Sequence, residues 1–414
     1  MSDFWLTKIT KIGVMFVTLS ITVSCSMQGQ EQTKNQLEEL QGQILVWIEM
    51  STESNKNPKD TDKIAFEDSI EEFKGLYPQV QIFVRYFSPE ESIELFELHA
   101  KRGDGPDMLL AHSSYQIVQL IKNKELRAID EFEINYSQFS DETIKQVRYK
   151  DKTYGLPIYL STQVLCYNKD KVKETPKTLQ ELIEQARHGY SVGLVSSLAE
   201  TFWGTGIFGG KLFDDSGRFA LSEDGSWVKW MEWLIEAQNE PNFILSKKKE
   251  VLQQAFIEGK LAYLTCSSDL IPYFIETMGK SKLGVTLLPS EGNQPATPLL
   301  QVGVSFFNRD SAPNQTRLAV KLAKFLSNRE QQAQTQAAIH FIPSNQNVTL
   351  NRQLFPLRAM MQDQAKTAVS ISLDDLEQLE VIRKNGNIFY QKMLEGEMTP
   401  EQAASKLTQT VNRQ

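Results

Sequence analysis

Short apolar runs of strand length alternate with segments whose apolar residues recur every three or four positions. That alternation restricts the chain to parallel sheets covered by helices on both faces. Ile44 to Ile48 is followed by Phe66, Ile70, Phe73 and Tyr77 at helical spacing, and Pro78 ends that helix. Val80 to Phe87 reads as the next strand, a helix opens at Pro89, where a first-turn proline is tolerated, and Met108 to Ala111 gives a third strand. Tyr115, Val118 and Ile121 mark one face of the helix after it. The pattern restarts beyond Pro157, with Ile158 to Tyr167 strand-like and Thr178 with Glu181 forming a capping box at the start of a helix. Val192 to Val195, Leu261 to Thr265, Leu283 to Leu288 and Val302 to Phe307 supply further strands. Trp227, Trp230 and Trp233 recur on one helix face and read as packing residues; Leu318, Leu322 and Phe325 mark another amphipathic helix before a mostly helical tail. Two α/β units in one body are predicted.

The amino terminus lies outside this pattern. Lys8 and Lys11 precede an apolar run, Ile12 to Val23, too short to span a bilayer as a mature helix. A basic start, a short apolar stretch and small residues after it read as a secretory signal. The run ends in Thr22, Val23, Ser24 and Cys25, which resembles a lipoprotein signal cleaved before a lipid-modified cysteine. Residues 1–24 are therefore expected as the signal and 25–41, polar and rich in Gln and Glu, as a lipidated tether. Two cysteines remain, and two do not define a disulfide framework. Cys166 and Cys266 each sit in an apolar run, the usual setting of a buried free thiol, although export permits them to pair.

Net charge is -8 with acids and bases interspersed, which argues against a nucleic-acid partner. Gly204, Gly206 and Gly209 fit a dinucleotide-binding pattern but lack the strand-to-helix context that gives it meaning, so a glycine-lined bend is predicted. His99, His112, His188 and His340 have no partners at metal-ligand spacing, and no nucleophile elbow or phosphate loop is found. The sequence therefore calls for no metal and no cofactor. Glu49, Glu200 and Asp269 fall near strand ends, which keeps hydrolysis by paired carboxylates as a rival reading.

The order of motifs resembles the family-1 extracellular solute-binding proteins of ABC importers, the maltose-binding type. Gly105, Pro106, Asp107 and Met108 resemble the family's strand entry. Tyr154 to Pro157, followed by Leu165 to Asp170, resembles the pair that brackets the first crossing between lobes. Pro176 to Glu181, Phe256 to Ala262, Gly284 to Pro289 and Ala319 to Glu330 continue the series, so the resemblance covers nearly all of residues 42–414. It implies a two-lobed periplasmic-binding-protein fold (type II, flytrap), each lobe a mostly parallel sheet flanked by helices. Lobe I would comprise 42–160 and 285–327, and lobe II 161–284 and 328–414.

The resemblance further implies a monomer without enzymatic activity. It would capture a small polar solute (a sugar, oligosaccharide or polyol) in the cleft and deliver it to a membrane permease; a sensory role is the other non-enzymatic alternative. Contacts carried over are Glu49 and Ser51 after the first strand, and His112, Ser113, Ser114 and Tyr115 after the third. Tyr159, Ser161 and Gln163 would face the cleft at the crossing, and Glu200, Phe202, Trp203 and Asp269 would line the second lobe. Of Phe202 and Trp203, one ring is expected in the cleft and its neighbour in the core.

Overall fold

The computed structural model describes residues 40–50, 61–214, 217–221, 225–335 and 341–412, so the signal, Cys25 and the tether lie outside the described residues. The first strands are β1 (Gly42–Glu49), β2 (Val80–Phe87), β3 (Met108–His112), the hairpin β4 (Arg148–Tyr149) and β5 (Lys152–Thr153), and β6 (Gly155–Ser161). They are followed by β7 (Gln163–Asn168), β8 (Val192–Val195), β9 (Phe243–Ser246), β10 (Tyr263–Ser267), β11 (Leu283–Thr286), β12 (Gln301–Phe307) and β13 (Ile342–Pro343). Two sheets anchor two lobes: six strands in the order β13-β6-β12-β3-β1-β2, and five in the order β11-β7-β10-β8-β9.

Pairing is parallel where the chain returns through a helix, as between β1 and β2, β1 and β3, β8 and β9, and β8 and β10. The strands that receive the chain from the other lobe are reversed, and so is the short β13 beside β6. β7 runs against β10 and β11, and β12 runs against β3 and β6. A strand entering from across the cleft starts where the parallel strands end, so it must run the opposite way. This geometry gathers the carboxyl ends of β1, β3, β6, β8 and β10 and the amino ends of β7 and β12 at one place.

Both faces of each sheet are buried, as the apolar runs require. On one face of the first sheet Val46, Ile48 and Leu110 pack with Phe66, Ile70 and Phe73 from the helix Thr61–Leu76 and Leu318 and Leu322 from Pro313–Leu326. On the other, Trp47, Leu109 and Ala111 pack with Phe96 and Ile117. Each buried Val, Leu, Ile or Phe among them contributes about 1.5–3 kcal/mol from area removed from water. The aspartate of the strand-entry motif is structural: Asp107 accepts from Leu45 N at 2.8 Å and from Ser311 Oγ at 2.6 Å, tying β1, β3 and the turn after β12. Thr178 caps its helix by accepting from Glu181 N at 3.1 Å, but the return arm of the box reaches one residue earlier, to Lys177 N at 2.6 Å. Trp227 and Trp230 are fully buried, and Trp233 stacks on Trp230 at 4.8 Å, so this face packs as its spacing implies.

Sheet membership moves the expected divisions of the chain. The run Ile158 to Tyr167 is two strands in different sheets, broken at Thr162, because Ser161 pairs with Gln301 while Gln163 pairs with Ser267. β11 stays with the second sheet through Thr286, opposite Leu165, so the return falls at Pro298 to Leu300 and not at 284/285. The third passage follows Pro343 and not residue 327, since β13 pairs with β6.

The expectation of free thiols is corrected. Cys166 and Cys266 form a disulfide between β7 and β10, strands whose antiparallel pairing sets Leu264 opposite Cys166 and Cys266 opposite Val164. The bond closes a loop of sequence separation 100, long enough to restrict the unfolded chain strongly. Replacing both cysteines by alanine is expected to cost about 2–4 kcal/mol in urea unfolding. An unchanged midpoint would show that the cross-link adds nothing to stability.

Candidate ligand-binding cleft

The gathered strand ends enclose a cavity of ≈ 380 Å³ lined from both lobes and from the crossings between them. That volume lies within the range of small-molecule sites, and its position outside carboxyl strand ends is where open α/β sheets bind ligands. The floor is the hinge itself. Thr162 Oγ1 donates to Leu299 O at 3.0 Å, Thr162 N donates to Ser268 Oγ at 3.2 Å, and Ser268 N donates to Thr162 O at 2.9 Å. Leu300 N in turn donates to Val369 O at 2.8 Å, so the second crossing is laced to the carboxyl-terminal segment.

The first-lobe wall is aromatic with one charged pair. Tyr159 and Phe341 stack with centroids 4.1 Å apart and planes 22° apart, and Phe66 lies 6.3 Å and 6.4 Å from them. Glu49 ends β1 and accepts from His112 Nδ1 at 2.8 Å; its second oxygen accepts from Ser92 Oγ at 3.4 Å. His112 Nε2 lies 3.5 Å from the Tyr159 hydroxyl. Burial opposes charge on His112, but the hydrogen bond and charge of Glu49, with the charge of Asp269, outweigh it and hold the imidazole above its ordinary pKa.

The second-lobe wall is polar. Glu200 follows the cap Ser197 in the helix Leu198–Thr201; it accepts from Gln163 Nε2 at 2.6 Å through one carboxylate oxygen and from Lys249 Nζ at 3.3 Å through the other. Gln163 Oε1 is buried and has no hydrogen-bond partner among the described residues. Ser267 Oγ donates to Asp269 Oδ2 at 3.3 Å, both lining the cavity. Among the described residues, no group of three His, Cys, Asp or Glu side chains is placed to hold a metal ion.

Of the candidates from sequence, the structure brings Glu49, His112, Tyr159, Gln163, Glu200 and Asp269 to this cavity. Ser51 lies outside the described residues. Ser113 turns away and donates to Gln146 O at 2.7 Å, Ser114 caps the helix Tyr115–Lys122, and Tyr115 stands on that helix away from the lining. Ser161 is buried within β6, reaching Gln301 Oε1 at 3.4 Å. Neither Phe202 nor Trp203 lines the cavity: they are 3% and 0% exposed, and Trp203 meets Trp230 edge-on at 4.9 Å. The bend at Gly204 and Gly206 explains this. A Cβ on Gly204 would sit 2.3 Å from the Trp230 ring, and one on Gly206 would sit 1.8 Å from Thr297 Oγ1. The glycines let this segment close against the core, which draws both rings inward.

Sequence reasoning missed Phe66, Phe341, Lys249 and Gln301 as lining residues. Phe66 was legible only as a helix-face residue. Lys249 was within reach, since it opens the helix that follows the parallel strand β9.

Residues 68–362 match the profile of a family described as bacterial extracellular solute-binding protein. A maltodextrin-binding protein of Bacillus subtilis is 27% identical over 243 residues, which span 50% of this chain and 57% of that protein. A galactooligosaccharide-binding protein of the same organism is 22% identical, with 98% of this chain and 97% of that protein covered. Among solved structures, a cyclo/maltodextrin-binding protein complexed with maltotetraose superposes with TM-score 0.75 at 20% identity, covering 90% of this chain and 96% of that one. At that identity the likeness speaks to the fold, the two-lobed α/β architecture.

The burial of Trp203 has a measurable consequence. Trp203→Ala is expected to lower stability by about 3–5 kcal/mol in urea unfolding, as removal of a fully buried ring does. A midpoint like that of the unsubstituted protein would place the ring outside the core.

Proposed function

The chain belongs to the bacterial extracellular solute-binding proteins, and from that premise we propose that it captures a neutral oligosaccharide between its lobes and delivers it to the permease of an ABC importer. The observation that carries this reading is the composition of the cavity walls. A stacked aromatic pair lines the same cavity as carboxylate, amide and ammonium groups, the combination that packs against a sugar ring and bonds its hydroxyl groups. The names of the B. subtilis relatives point to the same ligand class.

Capture occurs without turnover in this reading. Glu49 and Glu200, two of the three carboxylates that hydrolysis could use, are each engaged by a basic side chain of the same wall, His112 and Lys249. Glu49, His112, Tyr159, Gln163, Glu200, Lys249, Asp269 and Phe341 form the contact set. The lobes are 40–161 with 301–343, and 163–297 with 356–412, the crossings between them acting as hinge. A ligand touching both walls favours closure by its differential affinity for the closed form.

The protein works outside the cytoplasm, held by a lipid on Cys25. A disulfide suits an oxidising compartment, and no helix among the described residues is long and apolar enough to cross a membrane. Cys25→Ala is expected to shift the exported protein from the detergent phase to the aqueous phase, or to arrest it as precursor; equal partitioning of both forms would rule out the anchor.

Titration calorimetry with maltotriose and with a galactooligosaccharide tests the ligand class, and small-angle scattering tests closure. Binding should reduce the radius of gyration and return the sugar unchanged by mass spectrometry. Phe341→Ala should weaken binding by on the order of 2 kcal/mol, as loss of an aromatic anchor does. Absence of heat with either sugar, or steady conversion of the sugar, would overturn the reading.

A further inference from the structure

Gln301 opens β12 where the second crossing enters the first lobe, and it is the exposed residue of that strand; those that follow it are buried. It lines the cavity. The backbone around it is fixed from three directions. Leu299 O accepts from Thr162 Oγ1 at 3.0 Å, Leu300 O accepts from Gln146 Nε2 at 2.6 Å, and Gln301 itself is the register partner of Ser161 on β6. The side chain is held as well. Ser161 is fully buried, and its hydroxyl donates to Gln301 Oε1 at 3.4 Å, its hydrogen-bond partner among the described residues. A bond of that length is weak, but withdrawing the amide would strand a buried hydroxyl, which is unfavourable. With its oxygen engaged, the amide keeps a nitrogen that has no partner among the described residues, on a side chain that lines the cavity.

Resting on the carbohydrate reading of this cleft, we infer that Gln301 contacts the captured sugar, its amide nitrogen donating to a sugar oxygen, and that Ser161 is a positioning residue that aims that amide. The physical reason is side-chain freedom. A glutamine loses much rotamer entropy when a ligand fixes it. Here the buried hydroxyl confines the amide before the ligand arrives, so the contact forms at a lower entropic cost. Ser161 and Gln301 stand on adjacent strands of one sheet, so the pair is carried by the first lobe as a unit. The amide is uncharged and donates through nitrogen, which suits an uncharged acceptor such as a hydroxyl or ring oxygen.

The experiment has two arms. The first is calorimetry with maltotriose and with a galactooligosaccharide on Gln301→Met, Ser161→Ala and the double variant. Gln301→Met keeps the length of the side chain and removes the amide, so it should weaken binding roughly three- to tenfold, the loss of one hydrogen bond. Ser161→Ala should weaken binding about two- to fivefold in the unsubstituted background and add nothing in the Gln301→Met background, because it acts only through the amide. Equal affinity of Gln301→Met and the unsubstituted protein overturns the contact. A Ser161→Ala loss that persists undiminished in the double variant, as a merely structural hydroxyl would give, overturns the positioning role. The second arm needs no ligand. The Gln301 side-chain amide resonances, identified by their loss in Gln301→Met, should move towards those of a free amide in Ser161→Ala; unmoved resonances also overturn the positioning role. Failure of the unsubstituted protein to bind either sugar is a different result: it counts against the carbohydrate reading and removes the sugar contact with it, and the amide resonances then decide the positioning alone.

Discussion

The structure turns on one residue, Thr162, where the carboxyl end of β6 meets the amino end of β7 and the chain changes sheet. Its amide and carbonyl form a reciprocal pair with Ser268, and its hydroxyl binds Leu299 O on the second crossing. Ser268 lies just past the end of β10, so the junction fixes the end of a second-lobe strand to the last turn of the first lobe. With the backbone groups satisfied there, two crossings lie side by side in a buried setting. An unpaired amide at this position would cost about 1–3 kcal/mol, and the alignment of both walls would loosen with it.

That junction dictates where chemistry can sit. β6 ends and β7 begins at the cleft, so Ser161 and Gln163 lie on opposite sides of the same peptide junction. Gln163 then reaches Glu200 through both its carboxylate and its backbone oxygen, at 2.6 Å and 3.0 Å, which positions the short helix bearing Glu200. The disulfide lies three residues into β7 and bonds it to β10, the strand that delivers Ser267 and Asp269. Three residues lining the second-lobe wall, Gln163, Ser267 and Asp269, are thus carried on or just after one cross-linked strand pair.

How far the sequence disclosed this follows from which features are local. Apolar period is local, and the strands β1, β2, β3, β8 and β10 and their helices stood out from it. The first crossing was harder to see: Gly155 to Leu165 is buried throughout, and the polar Ser161, Thr162 and Gln163 at its centre are too few to separate two strands by period alone. β13 is two residues long, below the length at which a period exists, and the polar helix Arg329–Thr335 gave no sign that it still belonged to the first lobe. Site residues divide the same way. Carboxylates and histidine at strand ends were readable from their place in the pattern. Phe341 has no motif, and its role depends on a stack with Tyr159 far away in the chain. Phe202 and Trp203 misled because two glycines nearby let backbone and ring approach where a side chain would have kept them apart.

The charge pattern explains why such a cleft can close at all. Bringing two walls together strips water from their ionised groups, and an isolated carboxylate would oppose that by several kcal/mol. Here most of the cost is met inside each wall before closure. Glu49 is bound by His112 within the first lobe, and Glu200 by Lys249 and Gln163 within the second. Pre-formed pairs leave the ligand little charge to compensate, which favours a solute that offers hydroxyl groups over one that carries a full charge of either sign.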